Sequence, residues 1–115
     1  MFIEGCVYAP SSPGEGLRVL VMRTWPRGVR LDRVDLWLKE LGPTPDLLRG
    51  LETRALSWLA FESAYLAQLT TRAETIEAVA VLRDLETRAG TVTLLCHERQ
   101  PPCHRFVLVK WLSAE

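Results

Sequence analysis

Neither sign of charge prevails in this chain: 14 basic side chains meet 14 acidic ones. A broad phosphate-gripping surface draws on surplus positive charge, so general nucleic-acid binding is disfavoured and only a local basic patch stays open. Lysine is scarce; Lys39 and Lys110 stand against 12 arginines, a bias that carries no functional inference. No apolar run comes near the roughly eighteen residues that read as a membrane span. The opening "MFIEGCVYAP" has an acid at Glu4 and neither a basic lead-in nor a long apolar core. That argues against a secretory leader and for the cytoplasm. Cysteine is limited to three residues, an odd number that suits reduced thiols better than a disulfide framework.

What is present is apolar material: 48% of the 115 residues are hydrophobic and 24% charged, the balance of a soluble globular protein. A chain of this length buries roughly two-thirds of its unfolded surface, so neither disulfides nor a metal is needed for stability. One domain over 1–115 is expected.

Residues 2–8, "FIEGCVY", read as a first strand, and "APSSPGEG" as a loop. "LRVLVMRTW", 17–25, has the continuous apolar core of a strand buried on both faces, and Pro26 and Gly28 stop it. Leu31, Val34, Leu38 and Leu41 suggest a loop leading to a short helix near Asp35–Leu41. Thr44 before Pro45 is a helix start signal. The periodic set Ala55, Trp58, Leu59, Tyr65, Leu66 and Leu69 predicts a helix from Glu52 to Thr70. A further helix over Thr75–Arg88 is stopped by Gly90, "TVTLLCH", 91–97, is a buried strand, and Cys103–Leu112 is a last helix. Apolar strands joined by helical crossovers predict an α/β domain of three layers: a small, mainly parallel sheet with helices on both faces. Ligands of such sheets bind beyond the carboxyl ends of the strands. Two polar segments leave those ends, "RTWPRGVR" and "CHERQPPCHR".

The second segment holds most of the reactive side chains. Cys96, His97, Cys103 and His104 are the right ligand types for zinc. Neighbours on a strand face opposite sides, however, so at most three of the four converge. With no second ligand cluster elsewhere, neither a metal nor a cofactor is expected. Cys103, at the start of the last helix, is placed for a thiolate nucleophile, stabilised by the helix dipole and by Arg105 and Arg99. Plain packing at a helix start is the competing reading of Cys103, and Cys96 and Cys6 are read as packing. The third reading is an anion site: free amides at the last helix, Arg105 beside them, and Arg23 and Arg27 from the first segment. Trp25 between those arginines either stacks on a planar group or caps the core. Glu98 either serves as a general base and orients His104 or pairs with a nearby arginine.

"RVLVMRTWPRGVR" followed by "DLWLKELGPT" resembles the "RVLVDRLWPRG…DxWLKELAPS" pattern of the YeaO-like proteins in the family called domain of unknown function 488. "FESAYLAQL" is similar to that family's "FRxRYxxEL" helix, and "VTLLCHERQPPCHRFVLVKWL" to its closing strand, loop and helix. Cys96, Glu98, Cys103, His104 and Arg105 match the Cys-x-Glu…Cys-His-Arg arrangement of many members of the wider family. The resemblance spans nearly the whole chain. It implies a small cytoplasmic bacterial or archaeal α/β protein, with no particular reaction attached. Met22 stands where the family usually has Asp, and Thr53-Arg54 where His-Asp often precedes the long helix. YeaO-like relatives commonly lack the cysteines and keep the His, which moves the emphasis from Cys103 to His104.

The expectation is therefore an anion or nucleotide pocket built by 23–30 and 96–105. Arg23, Arg27 and Arg105 hold the anion and Trp25 stacks. His104 with Glu98 forms the acid–base pair if there is chemistry, and Cys103 is the candidate nucleophile. The partner is a small anionic ligand, with no membrane and with a homodimer open. The alternative is a non-catalytic interaction or regulatory module, nucleic-acid-associated, in which the same motifs are structural.

Overall fold

The computed structural model of the chain describes residues 1–97 and 103–114. Four strands form one sheet: β1 (Phe2–Cys6), β2 (Leu17–Leu20), β3 (Leu36–Trp37) and β4 (Val92–Cys96). All pairings are parallel and the spatial order is β1-β4-β2-β3. Four α-helices accompany them: α1 (Pro45–Glu52), α2 (Trp58–Thr71), α3 (Ala73–Ala89) and α4 (His104–Leu112). The mainly parallel α/β architecture expected from the apolar strands is present. Among the described residues, no helix is long and apolar enough to cross a membrane.

The central strand explains the layering. All five residues of β4 are buried, and alternation along a strand sends them to opposite faces. Val92 and Leu94 join Val19, Val21 and Phe2 in a core closed by Phe61, Tyr65 and Leu69 of α2, Val79 and Leu82 of α3, and Leu108 and Leu112 of α4. Leu95 turns the other way, with Leu20 and Val7, under Met22, Trp25, Val29 and Val34. The layer on this second face is thin: two loop segments and one 3-10 turn, Leu31–Arg33, cover it. Arg18 pins it. Arg18 is only 7% exposed; its side chain pairs with Glu15 and donates from Nε to the Arg33 carbonyl at 2.8 Å. Its own amide donates to the Asp35 carboxylate at 2.8 Å.

Two start and stop signals act as read. The Thr44 hydroxyl accepts from the Leu47 amide with Pro45 at the first helical position, and Gly90 ends α3 at φ +84°. Elsewhere the chain departs from expectation. Asp35–Leu41 is not a helix but β3 followed by a 3-10 turn, Lys39–Leu41. The β2 edge captures this segment: the Leu38 amide donates to the Leu20 carbonyl at 3.0 Å and the Trp37 indole to the Met22 carbonyl at 2.7 Å. The helix expected from Glu52 begins only at Trp58. Arg54 takes the left-handed conformation at φ +62°, and Ser57 then caps α2 by accepting from the Ala60 amide at 3.1 Å. The strands are also shorter than read: β1 ends at Cys6 and β2 at Leu20. Single bonds carry the pairing on, from the Val7 amide to the Cys96 carbonyl and from the Val21 amide to the Leu95 carbonyl.

Candidate functional site

Because the strands are parallel, the segments that follow β1, β2 and β4 leave one edge of the sheet. The chain leaves that edge at Cys96, the last residue of β4, and returns to it at Cys103, the N-cap of α4. The two sulfurs stand 3.1 Å apart, with the Cys103 thiol donating. Next to them the His104 Nδ1 is 3.7 Å from the Cys103 sulfur. On its other side the imidazole reaches the segment after β2, with Nε2 2.7 Å from the Val21 carbonyl. A carbonyl only accepts, so Nε2 carries the hydrogen and Nδ1 presents its lone pair towards the thiol. All three residues are buried, with Cys96 1%, Cys103 2% and His104 8% exposed.

Burial sets the protonation of the group. It pushes the His104 pKa below the ordinary histidine value, against the pull of the Cys96 thiol and the Val21 carbonyl, and Arg105 and His97 push the same way as burial. His104 is thus a neutral imidazole near pH 7. The Tyr65 ring meets His104 edge-on, with centroids 5.6 Å apart at 81°, and its hydroxyl donates to the Leu41 carbonyl at 2.5 Å. Burial raises the Tyr65 pKa well above its ordinary value; Cys103 and Cys96 add to the rise and Arg23 opposes it. The phenol therefore stays protonated and serves as a donor.

The other expected site residues are dispersed. Arg105, on the first turn of α4, is 1% exposed and its guanidinium lies 4.6 Å over the Phe106 ring. Arg23 spans the turn before α1, donating from Nη2 to the Gly42 carbonyl at 2.9 Å and from Nε to the Pro43 carbonyl at 3.3 Å. Trp25 packs on the loop-covered face, its indole donating to the Val29 carbonyl at 3.0 Å and its ring edge-on to Trp37 at 5.5 Å. Arg27 is exposed, and its carbonyl accepts from the Tyr8 hydroxyl at 2.9 Å. Glu98 lies outside the described residues. The structure thus brings Cys103 and His104 together with Cys96, while His97 is exposed with its Nδ1 3.8 Å from the Cys96 sulfur. The signal for Cys96 was its place at a strand end seven residues before a helix-capping cysteine.

A family model described as the Active DUF488-N3 subclade matches residues 5–115. The chain belongs to this family. This DUF488-N3 protein is 29% identical to YeaO of Escherichia coli (strain K12) over 110 residues, which is 94% of the chain and 93% of YeaO. It is 32% identical over 109 residues to Rv3073c of Mycobacterium tuberculosis (strain H37Rv) and to Mb3100c of Mycobacterium bovis. Each of those alignments covers 93% of the chain and 89% of the relative. No solved structure matches it. The names of these relatives assign no reaction, so the chemistry of the DUF488-N3 site rests on its own geometry. A neutral imidazole beside a thiol at a helix N-terminus can accept a proton, stabilise a thiolate or ligate a metal.

Proposed function

We propose that this DUF488-N3 protein binds a small anionic ligand of the nucleotide or sugar-phosphate class at the carboxyl edge of its sheet, above the start of α4. The observation that supports this reading most is the 2.7 Å contact between His104 and the Val21 carbonyl. It ties the start of α4 to the segment after β2, at the edge where parallel sheets accept their ligands. The first-turn amides of α4 favour negative charge, Arg105 follows on that turn, and Arg27 offers an exposed guanidinium from the segment after β2.

A thermal-shift screen over nucleotides, sugar phosphates and carboxylates tests the proposal, followed by titration calorimetry of any hit. A ligand at a hundred times its dissociation constant adds about 2.7 kcal/mol to stability, a shift of several degrees for a chain of this size. Arg27→Ala is expected to keep the melting temperature and weaken binding. A screen without a stabilising anion refutes the proposal and favours an interaction module. The engagement of Arg23 and Trp25 by backbone carbonyls supports that second reading.

A further inference from the structure

We infer that Cys96, Cys103 and His104 form a binding site for a borderline-soft divalent metal of the zinc type. Their ligand atoms, two sulfurs and one imidazole nitrogen, all lie within 4.8 Å of one another, and all three residues are buried. Tetrahedral zinc with sulfur at about 2.3 Å and nitrogen at about 2.0–2.1 Å sets its ligand atoms roughly 3.5–3.8 Å apart. The Cys103 sulfur and His104 Nδ1 already stand at 3.7 Å. The two sulfurs, at 3.1 Å, need to open by about two-thirds of an ångström, within reach of small χ1 rotations.

Three further observations make this more than a cluster of suitable side chains. First, a metal-ligating histidine nearly always donates its other ring hydrogen to a carbonyl or carboxylate, which fixes the tautomer and aims the ring. The Val21 carbonyl does this at Nε2, leaving Nδ1 on the side of the thiols. Second, the donors sit on rigid elements: Cys96 ends the central strand, while Cys103 and His104 open α4. The site thus joins two positions, the end of β4 and the start of α4, that the sheet and helix already hold. Third, the charges close. Two thiolates and a neutral imidazole around a divalent cation sum to zero, the balance a buried site requires. The start of α4 further favours the thiolate form of Cys103. Three donors among the described residues leave a fourth tetrahedral position to water or an exogenous ligand, as in zinc sites that bind substrates. This inference stands apart from the proposed anion pocket; either holds if the other fails.

The test uses the untagged full chain, reduced with a phosphine, stripped with a chelator and titrated with Co2+ and then Zn2+ without oxygen. One equivalent of Co2+ is expected to bind, with near-ultraviolet thiolate-to-cobalt charge transfer and d–d bands of tetrahedral intensity, and Zn2+ is expected to displace it. Cys96→Ser, Cys103→Ser and His104→Ala should each weaken binding by roughly a hundredfold or more, beyond the loss typical of outer-shell changes, while Cys6→Ser leaves it intact. The wild-type spectrum decides the matter even if a variant fails to fold, because charge transfer requires a thiolate on the metal. Absence of stoichiometric binding overturns the inference. So does binding without charge transfer, or binding insensitive to both serine variants. In protein freed of phosphine and treated with diamide, which takes up the two electrons and two protons, a Cys96–Cys103 disulfide that forms equally fast with and without Zn2+ overturns it too.

Discussion

Gln68→Met should destabilise the protein far more than an exchange of similar shape suggests. Gln68 is 4% exposed and joins three elements. Its Nε2 donates to the Gly42 carbonyl at 3.0 Å and the Thr75 hydroxyl at 3.3 Å, and its Oε1 accepts from the Thr44 amide at 3.1 Å. Methionine fills the space and satisfies none of these groups. The Gly42 carbonyl keeps the Arg23 guanidinium, and the Thr75 hydroxyl keeps the Glu40 carbonyl at 3.1 Å, so each of those losses costs about 0.5 kcal/mol. The Thr44 amide loses the acceptor it has among the described residues, at a further cost of about 1–3 kcal/mol. The sum is about 2–4 kcal/mol, a fall in melting temperature of roughly 8–16 °C. Urea unfolding followed by circular dichroism reads it as a lower midpoint at unchanged slope. A cycle with Thr75→Val isolates the direct contact and should return a coupling of about 0.5–1.5 kcal/mol. A single-variant loss under about 0.5 kcal/mol, or zero coupling, would show that the hub is not an energetic one.

Two further expectations need only stability measurements. Gly14 and Gly16 both have positive φ, yet a Cβ on Gly16 would come within 2.0 Å of the Thr91 carbonyl oxygen while one on Gly14 meets nothing. Gly14→Ala should cost about 1 kcal/mol and Gly16→Ala several times that or the fold itself; equal losses in denaturant titrations would contradict the packing of this turn on β4. The Glu74 carboxyl is held below its ordinary pKa of 4.5 by its own backbone amide and by Arg72. A depressed folded-state pKa contributes stability above the unfolded value that is lost as pH falls through the folded one. Glu74→Gln should therefore lower the melting temperature slightly at pH 7, where the carboxylate contributes, and converge on the wild type as pH falls below about 4.5; a difference that persists unchanged at acid pH would exclude the effect.

The sequence carried the sheet well because β4 is buried on both faces, and such a strand has to be an unbroken apolar run. Thr44-Pro45 and Gly90 were readable for a similar reason: capping is local chemistry. Asp35–Leu41 was misread because Leu31, Val34, Leu38 and Leu41 match helical spacing, while the pairing that decides its structure comes from β2, seventeen residues earlier at Val19↔Leu36. The break between α1 and α2 depends on Arg54 at positive φ, which few side chains advertise. At the site, strand alternation predicted at most three converging ligand types; Cys96, Cys103 and His104 do converge, while His97 Nδ1 also lies 3.8 Å from the Cys96 sulfur. Alternation could not show which three, since that depends on where α4 returns to the sheet edge. Trp25 and Arg23 looked like ligand residues because their backbone acceptors are created only by the turns at Val29 and at Gly42-Pro43.

The strand order has a consequence for how the molecule is made. β1 and β2 do not pair with each other; both pair with β4, Phe2 and Leu17 opposite the same Val92. During synthesis the middle strand of the sheet thus emerges after the other three strands among the described residues. Until it does, the nascent chain holds β1 without a partner and only the short β2–β3 pair, while three helices wait on an incomplete surface. The sheet can close only once residues 92–96 have emerged, through contacts some ninety residues apart, the slow kind for loop closure. Cys96 arrives with that same strand, so the thiol pair comes into being in the step that closes the sheet.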